Sequence, residues 1–299
     1  MTPYEIIVTS ASRPNLLGPT LSSLMAALDQ RPEAILVHDD AVFPGRRDAV
    51  KDVIQDHCLS CFAVPPPVFF TYTDPPRRLG LALKLLLGQV RTEYVLYSQD
   101  DFVTVRPLPI QETLAVMDFN SLHQVRFNKR ATMEQKDTWQ GVWRKREARF
   151  REGDSEDSWR TLTVADHWYF QTGLWRTSVI RAALDWLTAT PGRTRLLSDG
   201  SGELAINDVM DGVYGPVPGL RVPDPEDDAS ASEIRAEIQR TFIHGPIGAD
   251  RFIRHIGIDR EQWAGDHERG DVSPERLKEK QREAWREIES YREGGGGGD

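Results

Sequence analysis

The chain has 299 residues, 39% of them hydrophobic and 28% charged; this suits one large α/β domain or two smaller ones and excludes a disordered or fibrous protein. Its net charge of −9 argues against indiscriminate coating of nucleic acid. No apolar run reaches membrane-spanning length, and "MTPYEIIVTSASRPN" enters strand-like sequence with no basic leader, so the expectation is a soluble, cytoplasmic protein.

In chain order, "YEIIVTSASRPNLLGPTLSSLMAAL" gives a β-branched run, a polar turn, and then Leu17, Leu21, Leu24 and Leu28 at helical spacing. That predicts a strand, a loop and a helix. "EAILVHDD" is a second short apolar run, bounded by acids, and "PVFFTYTDPP" a third, fenced by prolines. The only cysteines, Cys58 and Cys61 in "HCLSCF", have just His57 beside them, whereas a structural zinc needs about four ligands. They precede a proline-rich link and do not open a helix, so they read as reduced structural thiols. "RRLGLALKLLLGQVRTEYVLYSQDDF" predicts a helix ending near Gly88, a turn, and a strand from Tyr94 to Ser98. Strands alternating with helices imply an α/β fold with a mostly parallel sheet flanked by helices.

Past residue 103 the pattern loosens. "LHQVRFNK" is strand-like, and "DHWYFQTGLWRTSVIRAALDWL" is an aromatic strand leading through "TG" into a helix. "SGELAINDVMDGVYG" predicts a short helix after a glycine, and "RVPDPEDDASAS" a loop rich in Pro, Asp and Ser. "SPERLKEKQREAWREIESY" opens with a Ser cap and a Pro, and it places Leu277, Ala284, Trp285, Ile288 and Tyr291 on one stripe. A docked C-terminal helix follows from that pattern. Residues 126–151 hold nine Lys or Arg against three Asp or Glu, together with Trp139 and Trp143. Such a run is either a solvated face or a local attraction for a polyanion.

In open α/β sheets the ligand crevice lies outside the carboxyl ends of the strands. Three such ends are polar here: "TSASR", "HDD" and "SQDDF". Adjacent carboxylates at Asp100 and Asp101 repel unless a cation or base lies between them, and hard oxygen ligands suit Mg²⁺ or Mn²⁺. One Asp capping a turn, with the other solvated, is the alternative.

These motifs, with "YFQTGLWRTSVI", "GELAIND" and "FIHGPIG", resemble in order the GT-A glycosyltransferases, closest to the family-two-like group of nucleotide-diphospho-sugar transferases, from about residue 4 to residue 257. The resemblance implies a GT-A, Rossmann-like sheet and a catalytic domain over 1–257. Within it, 1–103 is the nucleotide-sugar half and 104–257 the acceptor side; a helical extension over 258–293 and a glycine tail over 294–299 follow. It also implies that Thr9, Ser10, Arg13, Asp39, Asp40, Arg78 and Asp100 contact the nucleotide. Asp101 would bind Mn²⁺ or Mg²⁺, with Gln99 and Ser98 departing from the strict DxD pattern, and His244 would complete the metal site. His255 ranks behind His244 because it reads as part of a following helix. Glu203, then Asp208, would be the base that takes the proton of the acceptor hydroxyl. Trp168 or Trp175 would be either a stacking surface for sugar or core.

The implied activity is transfer of a hexose from a nucleotide diphosphate sugar, UDP-sugar favoured, to a hydroxyl acceptor with inversion. Through residues 126–151 that acceptor would be a phosphorylated glycan, a lipid-linked phosphate or a hydroxymethylated base of phage-type DNA. A sugar nucleotidyltransferase is the rival enzyme, disfavoured because no glycine-rich basic first loop is present to grip a triphosphate. A sugar- or nucleic-acid-binding module without catalysis is the third reading.

Overall fold

The computed structural model describes residues 1–42, 45–58, 62–76, 78–129, 135–138, 141–144, 147–155, 157–165, 168–198, 202–211, 213–214, 217–218, 220, 240–257 and 274–294. Cys61, Trp139, the loop 221–232, most of the charged run 130–146, the segment 258–273 and the glycine tail lie outside the described residues.

In the first half the four predicted strands and the helices after the first and third of them form, and a helix that the sequence does not predict, over Arg47–Cys58, joins them. Strands β1 (Tyr4–Ser10), β2 (Ile35–Asp39), β3 (Val68–Tyr72) and β4 (Tyr94–Gln99) lie side by side in the order β3-β2-β1-β4, all parallel. Every residue of β1 and β2 is buried, which is why they read as continuous apolar runs with no alternation. Helices α1 (Pro14–Ala27) and α2 (Arg47–Cys58) cover one face through Leu17, Leu21, Leu24, Val50 and Ile54. Helix α3 (Arg78–Leu87) covers the other through Leu83, Leu86 and Leu87.

The second half departs from a mostly parallel sheet. It contributes β5 (Phe102–Thr104), α4 (Ile110–Phe119), β6 (Gln124–Arg126), the hairpin β7 (Gln135–Thr138) and β8 (Gly141–Arg144), β9 (Glu147–Arg151), β10 (Trp159–Val164), β11 (Gly173–Arg176), α5 (Thr177–Ala189), α6 (Thr194–Ser198), α7 (Gly202–Met210), β12 (Thr241–His244), β13 (Ile253–His255) and α8 (Pro274–Gly294). Beyond β4 the sheet continues β11-β6-β12-β10-β9, and only β6 and β12 are parallel there. The aromatic segment 168–172 is not a strand. The Tyr169 N–H donates to Gln124 Oε1 at 2.9 Å and its carbonyl accepts from Gln124 Nε2 at 2.6 Å, so a side-chain amide takes the place of a ladder.

His255 stands on a strand and not on a helix. β13 pairs antiparallel with β5, matching His255 with Phe102 directly after Asp101. Helix α8 braces this ribbon: Leu277, Ala284 and Ile288 pack on Leu16, Val103, Val105 and Ile256. Arg251 Nη2 meets Glu287 Oε2 at 2.6 Å, Arg254 pairs with Glu283, and Lys280 Nζ donates to the Gly257 carbonyl at 2.5 Å. Trp285 and Tyr291, expected on the buried stripe, are instead exposed at its margin. No helix among the described residues is long and apolar enough to cross a membrane.

Candidate functional site

The carboxyl ends of β1, β2 and β4 converge, as expected for an open α/β sheet. β4 ends in Gln99, and Asp100 and Asp101 follow it at 1% and 7% exposure, too deep to be a solvated turn. Arg13, at the start of α1, answers the pair: its Nη2 reaches Asp100 Oδ1 and, at 3.2 Å, Asp101 Oδ2, while its Nε donates to Asp100 Oδ2 at 3.2 Å. The Ala11 N–H also donates to Asp100 Oδ2, at 3.0 Å. Asp100 is thereby used up in fixing the first loop.

Asp101 is held differently. His255 Nε2 donates to its Oδ2 at 3.2 Å, whereas its Oδ1 is buried with no hydrogen-bond partner among the described residues. Burial opposes the charge of Asp101, but the His255 hydrogen bond and the Arg13 cation outweigh it and hold the carboxyl at about 2. An ionised carboxylate with an orphaned buried oxygen is a ready acceptor for a cation. Gly257 packs against the oxygen that His255 meets. A Cβ there would lie 2.5 Å from Asp101 Oδ2 and 2.9 Å from His255 Nε2. Gly257→Ala is therefore expected to fold yet lower any activity of the site by about 10²-fold, the effect of roughly 1 Å of misplacement. Circular-dichroism melting beside a rate assay checks this, and a rate within threefold of the parent would show that Asp101 tolerates the push.

Above the strand end, Gln99 Nε2 donates to Glu203 Oε1 at 3.2 Å from the first turn of α7. Glu203 opens to solvent, yet the walls around it strip part of its hydration and push its carboxyl up. The Gln99 hydrogen bond opposes this, the charge of Asp101 adds to it, and Lys129 opposes it. A carboxyl raised towards neutrality beside a low one is the pattern of an acid–base group next to an anchored anion.

The other residues sort by what they touch. Asp39 is buried and accepts from the Ser12 N–H at 2.6 Å and from the Ser12 hydroxyl at 3.0 and 3.2 Å, holding Ser12 at φ 57°. Asp40 accepts from the Arg78 N–H at 2.7 Å and from the Thr73 hydroxyl at 3.1 Å, so it caps the start of α3. Thr9 meets the Tyr97 hydroxyl at 3.2 Å, and Ser10 is buried at the end of β1.

Three expectations shift in the structure. His244 sits at the end of β12 between Phe127 and Phe252, with Nε2 3.8 Å from Glu112, and the histidine on Asp101 is His255. Asp208 accepts from the Tyr214 hydroxyl at 3.1 Å, in a cluster where Tyr214 stacks on Trp186 and Arg193 covers both. It is committed there, whereas Glu203 faces the strand end. Trp168 and Trp175 are buried in the core around Tyr97, with Trp175 stacked on Tyr97 at 4.2 Å, so neither offers a ring to a sugar.

Among the described residues no group of three or more His, Cys, Asp or Glu side chains gathers as a ready metal cage. An ion here would rest on Asp101 and His255, and hard divalent ions commonly take only one or two carboxylates from the protein and the remainder from phosphate and water.

No protein-family model and no curated protein matches the chain. Among solved structures it is similar to the S. aureus TarS fragment 1–349 in complex with UDP, at 14% identity and a TM-score of 0.46, covering 96% of this chain and 65% of that one. The chain thus spans less than two thirds of the TarS fragment it matches. It is also similar to the mannosyltransferase PcManGT from Pyrobaculum calidifontis in complex with GDP-Man and Mn²⁺, at 14% identity and a TM-score of 0.44, covering 97% and 70%. A third likeness is to 4-diphosphocytidyl-2C-methyl-D-erythritol synthase from Anaerococcus prevotii, at 12% identity and a TM-score of 0.43, covering 95% and 99%. Likenesses of this degree assign no donor, acceptor or metal to this chain.

Proposed function

We propose that the protein is a metal-dependent glycosyltransferase that moves a hexose from a nucleotide diphosphate sugar, UDP-sugar favoured, to a hydroxyl acceptor with inversion. The observation that carries this reading is the juxtaposition at the end of β4: an ionised Asp101 with an orphaned buried oxygen, His255 on the same carboxylate, and Glu203 one hydrogen bond from Gln99. Asp101 and His255 would hold Mn²⁺ or Mg²⁺, which when bound stabilises the charge that develops on a departing diphosphate.

The chain's own residues supply the rest. Arg13 keeps the two aspartates from repelling each other and fixes the loop that follows β1. Asp39 and Asp40, through Ser12 and the start of α3, hold the two loops between which a nucleoside would lie. Glu203, with its raised carboxyl, would take the proton of the acceptor hydroxyl as that oxygen attacks the sugar carbon on the face opposite the diphosphate. The domain division at residue 257 and a polyanionic acceptor near residues 126–151 belong to this reading.

The deciding experiment is a panel of nucleotide sugars assayed for hydrolysis and transfer with Mn²⁺ and with EDTA. Turnover of one donor that chelation abolishes supports the reading. Release of pyrophosphate from a nucleoside triphosphate and a sugar phosphate would replace it with the nucleotidyltransferase, and tight sugar binding without single-turnover transfer would replace it with the binding module.

A further inference from the structure

We infer that Arg126, held flat by Tyr169 and Gln171, forms a subsite for an anionic group, a phosphate or a carboxylate, carried by the acceptor. The inference rests on the transferase reading for the word acceptor, and on geometry for the anion. β4 and β6 both run antiparallel to β11, so they point the same way, and Arg126, the last residue of β6, lies on the sheet edge that carries Asp100 and Asp101.

The face is also fixed. Val125 and Phe127 point into the core beneath α1 and α4, which turns Arg126 to the opposite face, where Tyr97 packs and where Gln99, two residues on, meets Glu203. Gly173 pairs with both Tyr97 and Arg126 and puts no side chain between them. Two strand spacings, about 10 Å, separate β4 from β6, on the order of one sugar ring and its substituent.

The side chain is arranged for binding more than for bracing. Its guanidinium carbon lies 3.6 Å from the centroid of Tyr169, and Nη1 donates weakly to Gln171 Oε1 at 3.4 Å. Its Nε is buried without a hydrogen-bond partner among the described residues. Arg13, Arg160, Arg176, Arg251 and Arg254 each meet a carboxylate. Among the described residues none pairs with Arg126. A planar cation stacked on a ring, with unused donors at its rim, matches a phosphate or carboxylate and holds little for a neutral hydroxyl.

The test is two-dimensional NMR of the arginine Nε–H groups in the full chain, with the Arg126 signal assigned by its loss in Arg126→Gln. Methyl phosphate, acetate and sodium chloride are titrated at matched ionic strength, with and without saturating UDP and Mg²⁺. A saturable shift of the Arg126 signal by methyl phosphate or acetate, half complete at roughly 1–10 mM as for one charge-assisted subsite, and unchanged by UDP, is expected. The stronger of the two anions names the group. No shift, or an equal one with chloride, overturns the subsite. A shift that UDP abolishes overturns the acceptor role, because Arg126 would then serve the donor. Calorimetric binding of UDP is read separately: its absence sinks the donor reading and with it the acceptor role, while its presence beside a silent Arg126 sinks only the subsite. Arg126→Lys, which keeps the charge and loses the fork, is expected to bind methyl phosphate several-fold more weakly with an unchanged melting curve.

Discussion

Asp101→Asn is expected to lower donor turnover by about 10²–10³-fold, the scale on which removal of one charge-stabilising group acts. The substitution keeps the shape and removes the charge. Asp101 is the carboxylate held at about 2, so it is anionic throughout the neutral range, and its buried Oδ1 is an acceptor that nothing among the described residues satisfies. The amide would still accept from His255, so the ribbon formed by β5 and β13 should survive. Arg13 would retain Asp100 as a partner. The stability cost should therefore stay at about 1–3 kcal/mol, the range for one lost charged hydrogen bond.

Asp100→Asn makes the contrast. Asp100 ties Arg13 and the Ala11 N–H together, so its loss should loosen the first loop, raising the donor KM and lowering the melting temperature more than it alters the response to Mn²⁺. Titrating Mn²⁺ against rate for both variants separates the roles. Equal metal responses in the two, or an Asp101→Asn enzyme within tenfold of the parent and indifferent to EDTA, would remove Asp101 from the centre of the site.

Strands β1, β2 and β4 were readable because they are buried on both faces, all but Gln99, and so appear as unbroken apolar runs, and the half-exposed β3 because prolines fence it. α2 was not, since only Val50, Ile54 and Cys58 of its twelve residues are buried and the charges between them hide a thin stripe. β6, β11, β12 and β13 are three or four residues long, so even where a run is strand-like, as in "LHQVRFNK", its place in the sheet is set by partners far away in the chain. This is also why His244 stands out in the sequence and His255 does not. "TFIHGPIG" looks like a strand running into glycines, whereas His255 reaches Asp101 only through a ladder between residues 102–104 and 253–255. The local signal for it was faint but present: buried Ile253 and Ile256, with Gly257 directly after them where a side chain would strike the carboxylate.

The strand-end acids could be located from sequence, but their division of labour could not. Asp100 and Asp101 are neighbours with the same side chain, and successive residues at a turn point to different surroundings. Both meet Arg13, but one adds a backbone N–H and the other adds His255. Glu203 and Asp208 divide in the same way. Five residues on a helix turn them about 140° apart, so one faces Gln99 and the other Tyr214.

That division sets up the second large effect. Glu203→Gln is expected to lower the rate of transfer by about 10²–10⁴-fold, the range for loss of a positioned general base, while UDP binding and the melting curve change little. The amide still accepts from Gln99, so geometry is kept and only proton affinity is lost. The pH dependence gives a sharper sign. Partial loss of hydration raises the Glu203 carboxyl above the ordinary glutamate range, so on acidification it takes up its proton earlier than an ordinary glutamate and the rate should fall earlier as well. A base works only when ionised, hence the parent enzyme should show an ascending limb with pH that Glu203→Gln lacks. Asp208→Asn, which loses a contact to Tyr214 but nothing at the strand end, should keep both the limb and most of the rate. If Asp208→Asn flattens the limb and Glu203→Gln preserves it, the proton passes to α7's other acid, and the contact between Gln99 and Glu203 serves only to pin the helix to the sheet.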